Sequence, residues 1–327
     1  MCVVHGSSRP DLGDVLYARQ RIEAYLPRTP LYSYPALDQF TGARLWVKHE
    51  NHQPVGAFKV RGGVNLVAQL PDAGRAAGLT TASTGNHGQS IAYAAALFGV
   101  TASIYVPEGA NPVKVDSMRA LGAEVIFAGA DFDAAREECE RQAAASGRRY
   151  VHSGNEPDLI AGVATCALEV LEQQPGVEVL VVPVGGGSGA AGACIVAKSV
   201  RPAIQVIGVQ SEAAPAAYRS WRAGKLVTDQ SATIAEGLAT GTAFELPQQI
   251  LRDLLDDFVL VSDEQLMAAT RLMIEKTRNL VEPAGAAALG AVLADPARFR
   301  DRQVAIVCSG GNISPQQLVQ LLADGRP

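Results

Sequence analysis

The chain reads as an α/β protein built from two mostly parallel sheets, each covered by helices on both faces. Three observations predict this. Short apolar runs alternate regularly with amphipathic stretches from residue 79 to residue 323, the pattern of strands joined by crossover helices. Several runs, such as Val179 to Val184, are apolar throughout, as strands buried on both faces are. The length of 327 residues exceeds the size at which single cores stop growing, about 250–300 residues.

The elements follow in order. Residues 15–26 read as an opening helix and 44–49 alternate as a strand. A helix starts near Lys59, since Val60, Val64 and Val67 recur at helical spacing. Next come strand 79–82, helix 88–97 and strand 102–106. Asn111-Pro112 opens a helix, because proline is favoured in a first turn. Strand 124–128, helix 132–145, a short strand 150–152 and helix 157–171 complete the first alternation. The second holds strand 179–184, helix 189–199, strand 206–210, helix 213–223 and strand 258–261. Ser262 and Gln265 form a capping box for the helix that follows. Strand 304–308 and helix 315–323 end the series. We expect a small domain over 78–152, inserted in a larger one made of 1–77 and 153–327.

Composition removes several functional classes. Twenty-eight Lys and Arg against 33 Asp and Glu give a net charge of −5, with no basic cluster to meet nucleic acid or an anionic membrane. The five cysteines, Cys2, Cys139, Cys166, Cys194 and Cys308, have no CxxC spacing, which points to a reduced, cytoplasmic protein. The first residues, MCVVHGSSRPDLGD, lack the basic and apolar regions of a signal peptide. The charge-free run 179–197 is broken by Pro183 and several glycines, so it reads as strand, turn and helix, not as a bilayer span.

Five stretches carry chemistry. Lys59 lies in Gly56-Ala57-Phe58-Lys59-Val60-Arg61-Gly62-Gly63. A cation at a helix start opposes the helix dipole, which hints at an amine kept for chemistry. Ser83-Thr84-Gly85-Asn86-His87-Gly88 follows an apolar strand and offers N–H groups and hydroxyls to an anion such as a substrate carboxylate; the plain alternative is a helix cap. Gly185-Gly186-Gly187-Ser188-Gly189 has neither the Walker lysine nor the dinucleotide spacing, and suits a phosphate at a helix N-terminus. Ser309, in Cys308-Ser309-Gly310-Gly311-Asn312, stands at a strand's carboxyl end, where ligands collect in open α/β sheets. Glu282 starts a small-residue helix at Glu282-Pro283-Ala284-Gly285. A lysine, two anion cradles and a neutral serine suit a cofactor with a carbonyl, a phosphate and a ring nitrogen, namely pyridoxal phosphate.

With these motifs in this order, the chain resembles the fold-type II pyridoxal-phosphate enzymes of tryptophan synthase β-like architecture, over nearly its whole length. Within them it is similar to the threonine/serine dehydratase and serine racemase family. The resemblance implies two parallel-sheet domains with the cofactor in the cleft between them. It implies Lys59 as the cofactor's covalent lysine and catalytic base, with Phe58 beside it. Asn86 is implied at the ring 3′-oxygen, Glu282 nearby, and Ser309 at the ring nitrogen. Gly185, Gly186, Gly187, Ser188 and Gly189 are implied at the phosphate, and Ser83, Thr84, Gly85 and His87 at the substrate carboxylate. The implied activity is a dehydratase, an ammonia-lyase that turns a 3-hydroxy amino acid into a 2-oxo acid and ammonium. The alternatives are an amino acid racemase, or a dehydratase of a specialised substrate such as a 3-hydroxyaspartate, phenylserine or a hydroxyectoine-derived amino acid. The implied partners are a small amino acid and a second copy in a homodimer.

Three departures from the family pattern shape further expectations. Thr84 stands where a racemase has a serine acting as acid and base on the second face. Gln210, Ala214 and Ala216 occupy positions where the family holds a divalent cation through acids, so no metal is expected there, although Glu212 is near. Pro54-Val55 before Gly56, with the small apolar run 237–241, suggests room for a substrate bulkier than threonine.

Overall fold

The structure, a computed structural model, describes residues 9–323. Cys2 and most of the N-terminal segment read for a leader lie outside the described residues. The chain runs α1 (Leu12–Ile22), β1 (Leu31–Ser33), α2 (Pro35–Thr41), β2 (Arg44–His49), α3 (Lys59–Ala68), α4 (Asp72–Ala77), β3 (Leu79–Ala82), α5 (Asn86–Leu97) and β4 (Ala102–Val106). Then come α6 (Pro112–Ala120), β5 (Glu124–Phe127), α7 (Phe132–Ser146), β6 (Arg149–Tyr150), α8 (Pro157–Gln173), β7 (Val179–Pro183), α9 (Ser188–Val200), β8 (Gln205–Ser211) and α10 (Ala216–Ala223). The last part holds α11 (Glu245–Leu254), β9 (Asp257–Val261), α12 (Asp263–Thr277), α13 (Pro283–Ala294), α14 (Pro296–Phe299), β10 (Gln303–Cys308) and α15 (Pro315–Ala323).

Two sheets result. The larger has the order β1-β2-β10-β7-β8-β9 and the smaller β5-β4-β3-β6. All pairings are parallel except β1 with β2. The three-residue β1 is too short to show a period, and Pro30 and Pro35 bracket it, as suits an edge strand. Apolar side chains of α8, α9 and α11 cover one face of the larger sheet, and those of α2, α12 and α13 the other. Five loops that leave the carboxyl ends of β2, β3, β6, β7 and β10 turn toward one cleft between the sheets. That edge is where open parallel sheets bind ligands.

Two local differences from the sequence expectations have simple causes. The helix expected from residue 213 starts at Ala216, because Ser211–Ala214 closes a turn and Pro215 precedes the helix. Helix α11 was not expected at all. Its Leu246, Ile250 and Leu251 are buried at helical spacing, but Pro247 falls in the first turn, where proline is tolerated.

Helix α3 is packed on two sides. Val60, Val64, Leu66 and Val67 join the core of the smaller sheet, although the sequence assigned them to the larger unit. On the other side α8 crosses so closely that a Cβ on Gly162 would stand 2.5 Å from the Arg61 carbonyl oxygen.

Candidate active site

Lys59 is the first residue of α3. The segment before it is tied to the loop after β10 by a bridge between Ala57 and Gly310 and by the Phe58 N–H donating to the Ser309 carbonyl at 3.0 Å. Behind the lysine, Arg61 is wholly buried. Its guanidinium donates to both oxygens of Glu50 at 2.7 and 2.8 Å, to both oxygens of Glu169 at 2.7 and 2.9 Å, and to Thr165 and Thr29. Lys48 Nζ donates to Glu169 Oε2 at 2.6 Å and to the Thr29 carbonyl. Two cations and two carboxylates thus close a neutral buried cluster under the helix, joining β2, α3 and α8. Charges taken from water are tolerated only when paired and hydrogen-bonded in this way.

The Lys59 amine itself makes no ion pair among the described residues. Nζ lies 2.9 Å from the Ser153 carbonyl and 2.9 Å from Ser188 Oγ. Desolvation lowers its pKa from 10.5 to about 8. Roughly one molecule in ten then carries a neutral, nucleophilic amine at pH 7.

The glycine-rich loop after β7 leads into α9. No described group accepts from the N–H groups of Gly185, Gly186, Gly187, Ser188 and Gly189, so they form a cradle at a helix N-terminus. Phe244 packs against this loop, and a Cβ on Gly186 would overlap its ring. The ring also meets His152 edge to face at 4.6 Å. No sequence signal marked Phe244, which is simply the residue before α11.

In the loop after β3, Ser83 Oγ accepts from the N–H of Gly88 at 3.1 Å and of Gly85 at 3.3 Å. Its oxygen therefore caps α5, the plain alternative for this stretch, while its hydroxyl proton stays available. The N–H groups of Thr84, Asn86 and His87 have no partner among the described residues and leave three donors at the start of α5. His87 contributes its backbone, because its ring is occupied. Nε2 lies 3.0 Å from Thr81 Oγ1 and 3.4 Å from the Val151 carbonyl, and the Thr81 hydroxyl donates to that same carbonyl at 2.8 Å. Nε2 must then carry the proton. Nδ1 is a buried lone pair without a partner. Burial, with the Lys59 charge nearby, lowers the His87 pKa to about 3. The same two causes lower His152 to about 4, and its Nδ1 accepts from the N–H groups of Gly154 and Asn155. Both histidines are neutral at pH 7.

Asn86, Glu282 and Ser309 converge on the cleft from three loops. Asn86 Nδ2 donates to Glu282 Oε1 at 2.8 Å. Burial raises the Glu282 pKa, opposed by the bond from Asn86 and by the charge of Lys114. Lys114, from α6, is itself buried and pairs with Glu236 across the cleft mouth. Neither member of that pair was marked by the sequence. Ser309 is buried, with a long 3.4 Å bond from Oγ to the Ala284 carbonyl.

One expectation about the surroundings changes. Val55 is buried in the smaller sheet's core, so it does not widen the cleft. Within 237–241, Leu238 is buried in the larger core and a Cβ on Gly185 would overlap the Gly237 carbonyl, whereas Gly237 is exposed and Ala239, Thr240 and Gly241 are half-buried. Gln210 is buried, with Oε1 accepting from the Tyr218 N–H at 3.0 Å, and Ala216 opens α10. Among the described residues no three His, Cys, Asp or Glu side chains converge as a metal site requires. The four described cysteines are buried and free. No described helix is long and apolar enough to cross a membrane.

The donor set fits pyridoxal phosphate. It offers a desolvated amine at Lys59, five N–H groups without partners among the described residues at Gly185–Gly189, and a neutral buried serine at Ser309. Fold and site together define a fold-type II pyridoxal-phosphate enzyme. The family described as Pyridoxal-phosphate dependent enzyme matches residues 22–310. The chain is 37% identical to the L-threonine ammonia-lyase of Thermotoga maritima over 96% of its own length and 78% of the relative's. It is 34% identical to the beta-hydroxyaspartate dehydratase of Paracoccus denitrificans, over 94% and 98%. The solved structure of maize serine racemase superposes with a TM-score of 0.91 at 32% identity, covering 97% of this chain and 98% of that one. The chain belongs to the threonine/serine dehydratase and serine racemase family of these enzymes, and is a pyridoxal-phosphate-dependent enzyme of the dehydratase type acting on an amino acid.

Proposed function

We propose that the chain is an ammonia-lyase that removes the hydroxyl of a small neutral 3-hydroxy amino acid, threonine or serine, giving a 2-oxo acid and ammonium. One observation carries this reading: among the described residues the cleft holds one amine of lowered pKa, Lys59, and no activated group opposite it. When bound, pyridoxal phosphate supplies an electron-withdrawing ring that acidifies the amino acid's α C–H. The Gly185–Gly189 amides would hold its phosphate, Asn86 its ring oxygen and Ser309 its ring nitrogen. The Thr84, Asn86 and His87 amides hold the substrate carboxylate by charge-assisted bonds at a helix N-terminus. Lys59, as a neutral amine, takes the α-proton.

Elimination needs one base, whereas racemisation needs a second proton carrier on the opposite face. Thr84 makes no side-chain hydrogen bond among the described residues that would take its proton. His87 and His152 are neutral, and burial makes them poor bases. A neutral substrate fits the electrostatics. A dicarboxylate such as 3-hydroxyaspartate needs a second cationic contact, and the cation at the mouth, Lys114, is paired with Glu236 beside the buried Glu282. Val55, packed into the smaller sheet's core, adds no room for an aromatic side chain.

The test is a comparison of initial rates with L-threonine, L-serine and L-threo-3-hydroxyaspartate, following 2-oxo acid, ammonium and D-amino acid. The expected result is 2-oxo acid and ammonium in equal amounts, highest kcat/KM for threonine or serine, and no activity in Lys59→Ala. A higher kcat/KM for the dicarboxylate sinks the substrate class. D-amino acid as the sole product sinks the reaction.

A further inference from the structure

The side chain of Asn86 carries out a bonding pattern that the proposed cofactor contact does not by itself require. A primary amide has two N–H donors and one oxygen acceptor. Asn86 Oδ1 accepts from Asn312 Nδ2 at 2.7 Å, and Asn86 Nδ2 gives one N–H to Glu282 Oε1 at 2.8 Å. One N–H of Asn86 is left. Asn312 is equally constrained. Its second N–H goes to the Val55 carbonyl at 2.9 Å, in the loop that leads to Lys59. Its own amide therefore faces two acceptors and cannot turn over without losing both bonds. Glu282 is held in turn by its backbone N–H, which donates to the Gly310 carbonyl at 3.2 Å. A Cβ on Gly310 would overlap the Glu282 carboxylate, so the loop after β10 closes directly on it.

The consequence concerns Asn86. Rotating its amide by half a turn would set Oδ1 against the Glu282 carboxylate and Nδ2 against the Asn312 amide nitrogen. Both contacts would be repulsive in a buried place where unpaired polar groups are costly. We propose that Asn312 and Glu282 are positioning residues that fix the Asn86 amide in one orientation, holding its remaining N–H toward the ring oxygen of the cofactor. This rests on the reading that Asn86 meets that oxygen. It also gives Asn312, the last residue of the glycine-rich stretch after β10, a task of its own. The loops before α3, α5 and α13 and after β10 then share one rigid amide, and the lysine's loop is registered against the ring's.

Four variants test it in the cofactor-loaded protein. The readouts are the absorption bands of the bound cofactor, their pH dependence, and cofactor Kd on reconstitution by fluorescence. Urea unfolding of each cofactor-free variant separates stability from positioning. In Asn312→Asp the side chain only accepts, so Asn86 must turn its N–H groups away from the ring. The expected result is an altered ratio of the two absorption bands and a Kd raised about tenfold, the loss of one buried hydrogen bond. Glu282→Leu removes the other anchor and gives a change in the same direction. Glu282→Gln still offers an oxygen to Asn86 and keeps the wild-type spectrum. Asn86→Ala separates the two layers of the argument. If Asn86→Ala alters the bands and Kd while Asn312→Asp and Glu282→Leu keep both at wild-type values, the positioning role is overturned and the ring contact stands. If Asn86→Ala itself is silent, the ring contact is wrong and the positioning role falls with it.

Discussion

Replacing Arg61 by methionine keeps most of the side chain's bulk and removes only the charged fork. Six hydrogen bonds disappear, two each to Glu50 and Glu169 and one each to Thr29 and Thr165. Lys48 then faces two buried carboxylates alone, and the cluster goes from neutral to a net charge of −1. Breaking a buried pair from one side costs about 3–5 kcal/mol. Burial pushes the Glu50 pKa up, yet in the intact cluster the charge and bonds of Arg61 outweigh it and hold the carboxyl below its ordinary value. Without Arg61 the burial effect wins, and the pKa rises above the unfolded one. The penalty is then present above that raised pKa and is relieved as pH falls through it. Urea unfolding of the cofactor-free protein measures this. Arg61→Met loses about 3–5 kcal/mol at pH 7 and less at pH 5. Glu50→Gln added to Arg61→Met restores neutrality, so the double variant costs at least about 2 kcal/mol less than the sum of the singles. A loss under about 1 kcal/mol, or strict additivity, would refute the account of the cluster as a mutually dependent unit.

Two further outcomes follow from packing and titration. Gly186→Ala forces the Phe244 ring off the phosphate loop and raises cofactor Kd about tenfold or more, with a smaller effect when Phe244→Leu makes room; fluorescence titration reads both, and equal Kd values for Gly186→Ala and wild type would contradict the packing. His87 has a folded pKa of about 3 against an ordinary 6.5, so the unfolded chain binds its proton first and stability falls below pH 6.5. Between pH 7 and pH 5 this contributes about 2 kcal/mol of destabilisation; a His87→Gln variant lacks it but keeps every Glu and Asp titration, so that variant's unfolding free energy drops by correspondingly less on the same acidification.

What the sequence made legible was local. Strands 79–82 (Leu-Thr-Thr-Ala) and 102–106 (Ala-Ser-Ile-Tyr-Val) carry no charge, are rich in apolar and β-branched residues and are flanked by turn residues, and β3 and β4 begin and end where the sequence put them. The anion loops were legible because glycine and small hydroxyl residues are clustered after apolar runs. The residues that organise those loops were not. Phe244 lies far in sequence from Gly186, and an isolated phenylalanine before a helix carries no pattern. Glu169 reads as one more acid on an amphipathic helix, since nothing in the chain tells that its face of α8 meets Arg61. The lysine at a helix start, Lys59, looked costly because the dipole argument sees only the helix. The structure resolves it: the side chain leaves the helix end to reach Ser153 and Ser188, and desolvation lowers the charge it carries.

The buried cluster and the amine are linked through the cluster's neutrality. A net unit charge about 10 Å away is worth roughly 1–2 kcal/mol at an effective dielectric of about 20, which is about one pKa unit. An ionic anchor whose arginine follows Lys59 by two residues would ordinarily move the amine's pKa. Here two cations and two carboxylates cancel, and the lowering at Lys59 comes from desolvation alone. The helix is thereby held by strong ionic bonds while the amine keeps a pKa set only by the cleft. Arg61→Met breaks that separation. The net −1 it leaves favours the ammonium and raises the Lys59 pKa, which lowers the fraction of neutral amine at pH 7. Acylation of Lys59 in the cofactor-free protein reports that pKa. Its half-maximal rate lies near pH 8 in the wild type and moves up by about one unit in Arg61→Met, returning toward 8 when Glu50→Gln restores neutrality. An unmoved profile would mean that the cluster holds the helix and has no electrical bearing on the lysine.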